Sequence, residues 1–282
     1  MQRILSFILL LGALCLPAFS QLIVRMEPIK KQFLSGEPVT VRLTISNNTG
    51  APIHLSSSDQ ISWLDINVES NDGGMPLPQS RFANFPPLSI PTGKSVSRRI
   101  NLRHFYDFSR DGNYKATALV RGPDMRTMFS SGKKMFTIMS GMPVWSQIAT
   151  PPGGRRCKYV VCSMKNNQKS HLYVQVKGGE VGTPINATGL GEWLSFFDPA
   201  CRIDSKANLH VLFLTTPTIY AGAIIAPDGT RKSLQYYKRI NGYQPSLVYL
   251  PDGSLRITGA IPFDPFKQGV KGPKDATVVP GE

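Results

Sequence analysis

The chain has 282 residues and a formal net charge of +14, from 32 Lys/Arg against 18 Asp/Glu. Twenty-three prolines and twenty-five glycines, set among runs of Val, Ile, Thr, Tyr and Phe, exclude a mainly helical chain and point to an all-β one. The basic surplus is spread evenly, 15 basic against 9 acidic residues over 21–142 and 16 against 9 over 143–282, so no single arm is built to grip nucleic acid.

Arg3, the apolar run Ile4 to Leu16, the break at Pro17 and the small residues Ala18 and Ser20 have the layout of a secretory signal. A spanning helix needs about 20 apolar residues, so an uncleaved anchor is the weaker reading. Leu14 stands where a lipoprotein signal centred on Cys15 would need a small residue. Cleavage is expected near Ser20. The mature chain would then begin at Gln21, carry no later transmembrane segment, and be soluble outside the cytoplasm, secreted or periplasmic.

Residues 21–140 read as a first domain. Gly36-Glu37-Pro38 is a turn, and Val39 to Ile45 then alternates, which places Val39, Val41, Leu43 and Ile45 on one inner face. Asn47-Asn48-Thr49-Gly50 closes that strand with turn residues. Further strands are predicted from Pro52, over Ile61 to Val68 with Trp63, around Leu88, over Val96 to Leu102, over Tyr114 to Val120 and over Lys134 to Ile138. About seven short strands separated by turns make a sandwich pattern. The most telling stretch is Asp111-Gly112-Asn113-Tyr114-Lys115-Ala116, where Tyr114 stands at a sandwich corner and Ala116 stands where an antibody domain has cysteine. Asp111, Gly112 and Tyr114 are therefore structural candidates.

These residues, with Ser35-Gly36-Glu37-Pro38-Val39-Thr40-Val41 and Asn47-Asn48-Thr49-Gly50, make residues 34–138 resemble the immunoglobulin-like modules of bacterial exported proteins. A fainter likeness to small bacterial proteinase-inhibitor sandwiches brings no reactive loop with it. The resemblance implies a fold and is nearly silent on function, since one sandwich hosts many activities.

Residues 141–154, bounded by Gly141-Met142-Pro143 and Pro151-Pro152-Gly153-Gly154, read as a linker. Over 155–262 the chain matches itself at a shift of 46, Pro199 to Val211 against Pro245 to Ile257. Each copy is an extended segment, a polar turn and an apolar-polar-apolar strand. Tyr159 to Met164 and His171 to Val176 form a looser hairpin, and Ile219 to Ala226, Pro227-Asp228-Gly229-Thr230 and Ser233 to Tyr237 another. Through Asn208-Leu209-His210-Val211, Pro227-Asp228-Gly229 and Pro251-Asp252-Gly253-Ser254 the stretch resembles propeller blades. Only two to three units fit, so an antiparallel meander forming a small sandwich is expected rather than a closed propeller. The segment 263–282 is Pro/Gly/Lys-rich and is expected to be a mobile tail.

The mature chain keeps Cys157, Cys162 and Cys201. Cys157 and Cys162 are five apart and point to opposite faces of a straight strand. Either could pair with Cys201, with Cys162–Cys201 the candidate disulfide and three free thiols the alternative. A zinc site lacks a fourth soft ligand.

No G-x-S-x-G elbow, H-E-x-x-H, P-loop or dinucleotide turn occurs. His171 and His210 fall in equivalent strands, so they either share a functional face or are strand-surface histidines. Glu180, Glu192 and Asp198 are the acids from which a glycosidase-like pair could be drawn. Asp204, Asp228 and Asp252 sit in turns, where a carboxylate satisfies backbone donors. The sequence thus predicts a non-enzymatic exported β protein without cofactor or metal. Tyr236, Tyr237 and Tyr243 are its contact candidates, and acidic envelope polysaccharide or another exported protein, but no specific nucleic acid, its partners. The alternatives are a glycan-acting hydrolase sited in the second domain and an inhibitor-like module in the first.

Overall fold

The structure is a computed structural model that describes residues 22–58, 60–71, 76–78, 85–166, 168–178 and 183–265. The expected signal, residues 1–20, and the tail beyond 265 lie outside the described residues. The strands in chain order begin with β1 (Leu22–Pro28), β2 (Gln32–Leu34), β3 (Thr40–Asn47), β4 (Ile53–Leu55), β5 (Leu64–Ser70), β6 (Leu88–Ile90) and β7 (Ser95–Asn101). They continue with β8 (Gly112–Arg121), β9 (Met128–Ser130), β10 (Lys134–Met139), β11 (Met142–Ala149), β12 (Cys157–Asn166), β13 (Lys169–Gly178) and β14 (Thr183–Glu192). The last are β15 (Ala200–Ile203), β16 (Leu209–Thr216), β17 (Ile219–Ile225), β18 (Arg231–Arg239), β19 (Ser246–Tyr249), β20 (Leu255–Thr258) and β21 (Ala260–Phe263). The described helical structure is a single 3₁₀ turn, Leu102–His104. The fold is all-β and mainly antiparallel, with β2 running parallel to β10.

By proximity the chain divides into two compact units that interleave in sequence. One holds the chain up to Ile29 with Thr40–Tyr106 and Tyr114–Met135; the other holds Lys30–Val39, Asp107–Asn113 and the chain from Phe136. In the first, β3 is the centre of the antiparallel sheet β1-β3-β7, while β5 pairs with β8 and β8 with β9. Alternation decides which residues go inside. Val24 and Met26 of β1, Val41, Leu43 and Ile45 of β3, and Ile66 and Val68 of β5 are buried, while Arg25, Arg42 and Asp65 between them are exposed. Trp63 is wholly buried; its indole N–H donates to the Phe85 carbonyl at 3.2 Å and its ring meets the Phe85 ring edge-on at 6.2 Å. Tyr114 is buried at 4% exposure. Tyr106 ties side chain to backbone across the unit, its hydroxyl donating to the Ile66 carbonyl at 2.7 Å.

The second unit is built on two meanders packed face to face. One sheet runs β11-β12-β13-β14 and the other β15-β16-β17-β18-β21, each strand antiparallel to its neighbour. Their facing sides, Tyr159, Val161, Leu172, Val174 and Val176 from one and Leu209, Val211, Phe213, Ala221, Ala223 and Ile225 from the other, make one buried core. Residues 142–149, read as part of a linker, are strand β11 here. Pro143 is tolerated because β11 is an edge strand with a register shift beside that proline. The runs in β12 and β13 are apolar on both faces for a visible reason. Leu34 of β2 packs on the outer side with Val160, Cys162, Met164 and Tyr173, and the Gln175 amide donates to the Ser35 carbonyl at 2.8 Å. Asp111 accepts from the Ser140 amide at 2.7 Å and Asn113 from the Thr137 hydroxyl at 2.7 Å, so the stretch singled out by sequence fastens the chain around β10.

The repeat of 46 residues is carried by a recurring hairpin turn. Ala207 N–H donates to Asp204 O, and Asp204 N–H to Asn208 O; Gly253 and Leu250 make the same two bonds with Leu250 O and Ser254 O. A third copy, unseen at the sequence shift, lies between them at Ala226 to Thr230, with Gly229 N–H to Ala226 O and Ala226 N–H to Thr230 O. The left-handed residue is Ala207 (φ 61), Gly229 (φ 85) or Gly253 (φ 78) in turn. A type I turn followed by one left-handed residue joins antiparallel strands with a bulge, which is why Pro-Asp-Gly recurs. Two of these copies are hairpins of one stacked sheet and the one at Leu250 to Ser254 joins β19 to β20 in a separate two-stranded sheet, so the copies are hairpins and not blades of a ring.

Candidate binding surface

The chemistry-bearing residues of the second unit are gathered at turns. Asp204 is the densest node. Its carboxylate accepts from the Lys206 amide at 2.9 Å, the Asn208 amide at 2.8 Å, the Asn208 side-chain amide at 2.9 Å and His210 Nε2 at 3.0 Å. Burial alone would push this carboxyl up, but the hydrogen bonds from Asn208 and His210 outweigh it and hold the group below its ordinary value. Asn208 in turn accepts from Lys232 Nζ at 2.8 Å, and the buried Tyr159 hydroxyl donates to the Ala207 carbonyl at 2.7 Å. An aspartate orienting a histidine is one step of a nucleophile triad. Among the described residues no hydroxyl or thiol is hydrogen-bonded to His210, and what the Asp204 carboxylate holds is the turn. Asp228 and Asp252 repeat the role, with hydrogen bonds from Thr230 and Ser254 lowering each carboxyl.

The other candidate residues lie apart. His171 alternates with the inward Leu172, and His210 with the inward Leu209 and Val211, so the two histidines lie on the faces of different sheets turned away from the inter-sheet core, with His171 itself buried. Glu192 is bound by Lys169 Nζ at 2.7 Å, and Glu180 falls outside the described residues. The cysteines are free thiols: Cys157 packs in the inter-sheet core, Cys162 in the cluster on the other side of β12, and Cys201 against the inter-sheet core. The Cys162–Cys201 bridge is not formed. Burial pushes Cys157 up, and Cys162 and Cys201 up to about 12, so none is poised as a thiolate. Among the described residues no group of three or more His, Cys, Asp or Glu could hold a metal ion, and no helix is long and apolar enough to cross a membrane.

The second unit exposes several large apolar side chains. Phe196 is 85% and Phe197 57% exposed on the connection between β14 and β15. The connection is pinned from both sides: Trp193 Nε1 donates to the Phe197 carbonyl at 3.0 Å and the Leu194 amide to the Leu214 carbonyl at 2.9 Å. The stretch Trp193 to Phe197 is thus an irregular turn whose two phenylalanines face water. Ile240, Tyr243, Val248 and Tyr249 are exposed on the loop and hairpin that follow β18. Tyr243 stands where the sequence placed a contact candidate. Tyr236 and Tyr237 do not, because Tyr236 packs on the inter-sheet core and Tyr237 on the cluster under the β19–β20 hairpin. The phenylalanine pair could have been found in sequence, since adjacent aromatics between polar residues in a non-periodic stretch have no strand face to fill.

No family model matches the chain, and no curated protein does. Among solved structures it is similar to the class 5 fimbriae chaperone CfaA, at 12% sequence identity, covering 77% of this chain and 99% of that one, with a TM-score of 0.23. A likeness that slight says nothing of activity or partners.

Proposed function

We propose that the chain is an exported, non-enzymatic β protein that binds a partner outside the cytoplasm through the turn carrying Phe196 and Phe197. The observation that carries the reading is that two adjacent phenylalanines are held out in water by a hydrogen-bonded loop. An ordered aromatic anchor is what interface hot spots are made of, and clustered exposed apolar side chains mark interaction sites. The signal-like start at Arg3 to Ser20 supports export. Tyr243, Val248 and Tyr249 supply further exposed apolar surface in the same unit.

The test is cross-linking and pull-down of the tagged chain from its own cells, wild type beside F196S/F197S. A specific partner that the double variant recovers at a tenth of the wild-type yield or less supports the reading. Recovery of no partner, with hydrolysis of a glycan panel by the purified chain, would replace it with the hydrolase.

A further inference from the structure

The outward face of the sheet β1-β3-β7 is a grid whose rows are fixed by strand register. Glu27, Arg42 and Arg99 form one row, Arg25, Thr44 and Ser97 the next, and Ile23, Ser46 and Ser95 the third. Arg42 and Arg99 stand directly opposite each other. Like charges so placed, with Cβ atoms about 5 Å apart, disfavour the pairing. Among the described residues Arg25, Arg42 and Arg99 make no ion pair or hydrogen bond. The one acid on the grid, Glu27, is taken by Lys134 Nζ. Sequence-near alternatives are used quite differently: Arg98, one residue away on the opposite side of β7, donates to the Pro86 and Pro87 carbonyls and lies over the Trp63 ring.

The rest of the grid is hydroxyl. Thr44 is bonded to Ser97 at 2.7 Å and Ser46 to Ser95 at 2.7 Å, leaving further lone pairs outward. Three exposed guanidinium groups beside a hydroxyl ladder match a chain that carries carboxylates and hydroxyls. Arg is the side chain that takes a carboxylate through two parallel hydrogen bonds. A membrane-binding face would add Trp, Phe or Leu to enter the headgroup boundary, and a single-strand nucleic-acid face would add stacking aromatics. Neither kind of residue is on this grid.

We propose that this face binds an acidic polysaccharide, with Arg25, Arg42 and Arg99 taking uronate carboxylates and Thr44, Ser46, Ser95 and Ser97 taking sugar hydroxyls. The site is separate from the Phe196–Phe197 turn and does not depend on it. The probe is immobilised polygalacturonate with neutral dextran as its control, using the full mature chain at low salt. Wild type is retained on polygalacturonate, passes through dextran, and elutes as salt screens the arginines. R42S/R99S binds at least roughly tenfold more weakly, the scale of one lost charge-assisted contact. R155S/R156S, which removes the same charge from an exposed turn of the other unit, is retained like wild type. R42S/R99S relieves a like-charge pair, so it melts no lower than wild type, and its loss of binding is not a folding defect. Wild-type flow-through would overturn the assignment. So would equal loss in both double variants, or tighter binding to phosphatidylglycerol vesicles than to the polymer. R42S/R99S keeps the partner recovered in the pull-down, so failure here and failure of the Phe196–Phe197 reading are told apart.

Discussion

Replacing Asp204 by alanine tests whether the recurring turn of the second unit is held by its carboxylate. Four donors converge on that group, from Lys206 N, Asn208 N, Asn208 Nδ2 and His210 Nε2, all at 2.8–3.0 Å. Lys206 is exposed and its amide turns to water at little cost. Asn208 is only 5% exposed, so both of its donors are left short of a partner inside the fold. Charge-assisted hydrogen bonds and stranded buried donors are each worth about 1.5–3 kcal/mol, and with solvent compensating the exposed one the net loss is about 3 kcal/mol. Asp204→Asn keeps one acceptor and loses about half of that. The sign with pH follows from the lowered carboxyl. Asp204 contributes stability that is present above its unfolded pKa, about 3.9, and is lost as pH falls through its lower folded value. Urea denaturation should therefore show a wild-type advantage over D204A that is full at pH 6 and shrinks below about pH 4. A difference under about 1 kcal/mol at pH 6, or one that grows on acidification, would refute the argument.

Three further outcomes follow from the same geometry. Gly229→Ala adds a Cβ 2.6 Å from Asn186 Cβ at a left-handed position and should cost about 2 kcal/mol or more, whereas Gly153→Ala, equally left-handed but in open space, costs only about 1 kcal/mol in the same urea titration. Equal losses for the two would remove the role given to the crowding at Asn186. Tyr114→Ala empties a buried site in the first unit and should destabilise by about 3 kcal/mol or more, read as a lowered urea midpoint with unchanged slope. The thiols of Cys162 and Cys201, pushed up to about 12 by burial, should react slowly with a thiol reagent in the native chain and fast in urea. Fast native labelling, or an intact mass two protons short, would show an exposed or bridged pair instead.

How much of this was legible depends on whether a residue's reason lies in its own neighbourhood. Val41, Leu43 and Ile45 announce β3 because period two and a single buried face are local facts. The strand β1 carried the same signal in Leu22, Val24 and Met26, yet it follows directly on the apolar leader-like segment and was not separated from it. The two-faced runs of β12 and β13 could not be explained by any local rule, because the residue that covers their outer face is Leu34, more than a hundred positions earlier. Tyr236 and Tyr237 looked like contact residues for the same reason. The β19–β20 hairpin that covers Tyr237 returns to the sheet after it, and alternation along β18 cannot say which face a later hairpin will occupy. The turn at Ala226 to Thr230 was not visible as a copy at the shift that matches the other two, because it lies between them, about half a repeat from each. Lone turn aspartates were read correctly because their chemistry is satisfied within a few residues.

The pull-down from the chain's own cells, wild type against F196S/F197S, bears most directly on the claim that this is a binding protein. The account predicts a specific exported partner held by wild type and recovered at a tenth of that yield or less with the double variant, at unchanged urea stability. Equal recovery by both chains would contradict it, as would no partner at all beside measurable glycan hydrolysis.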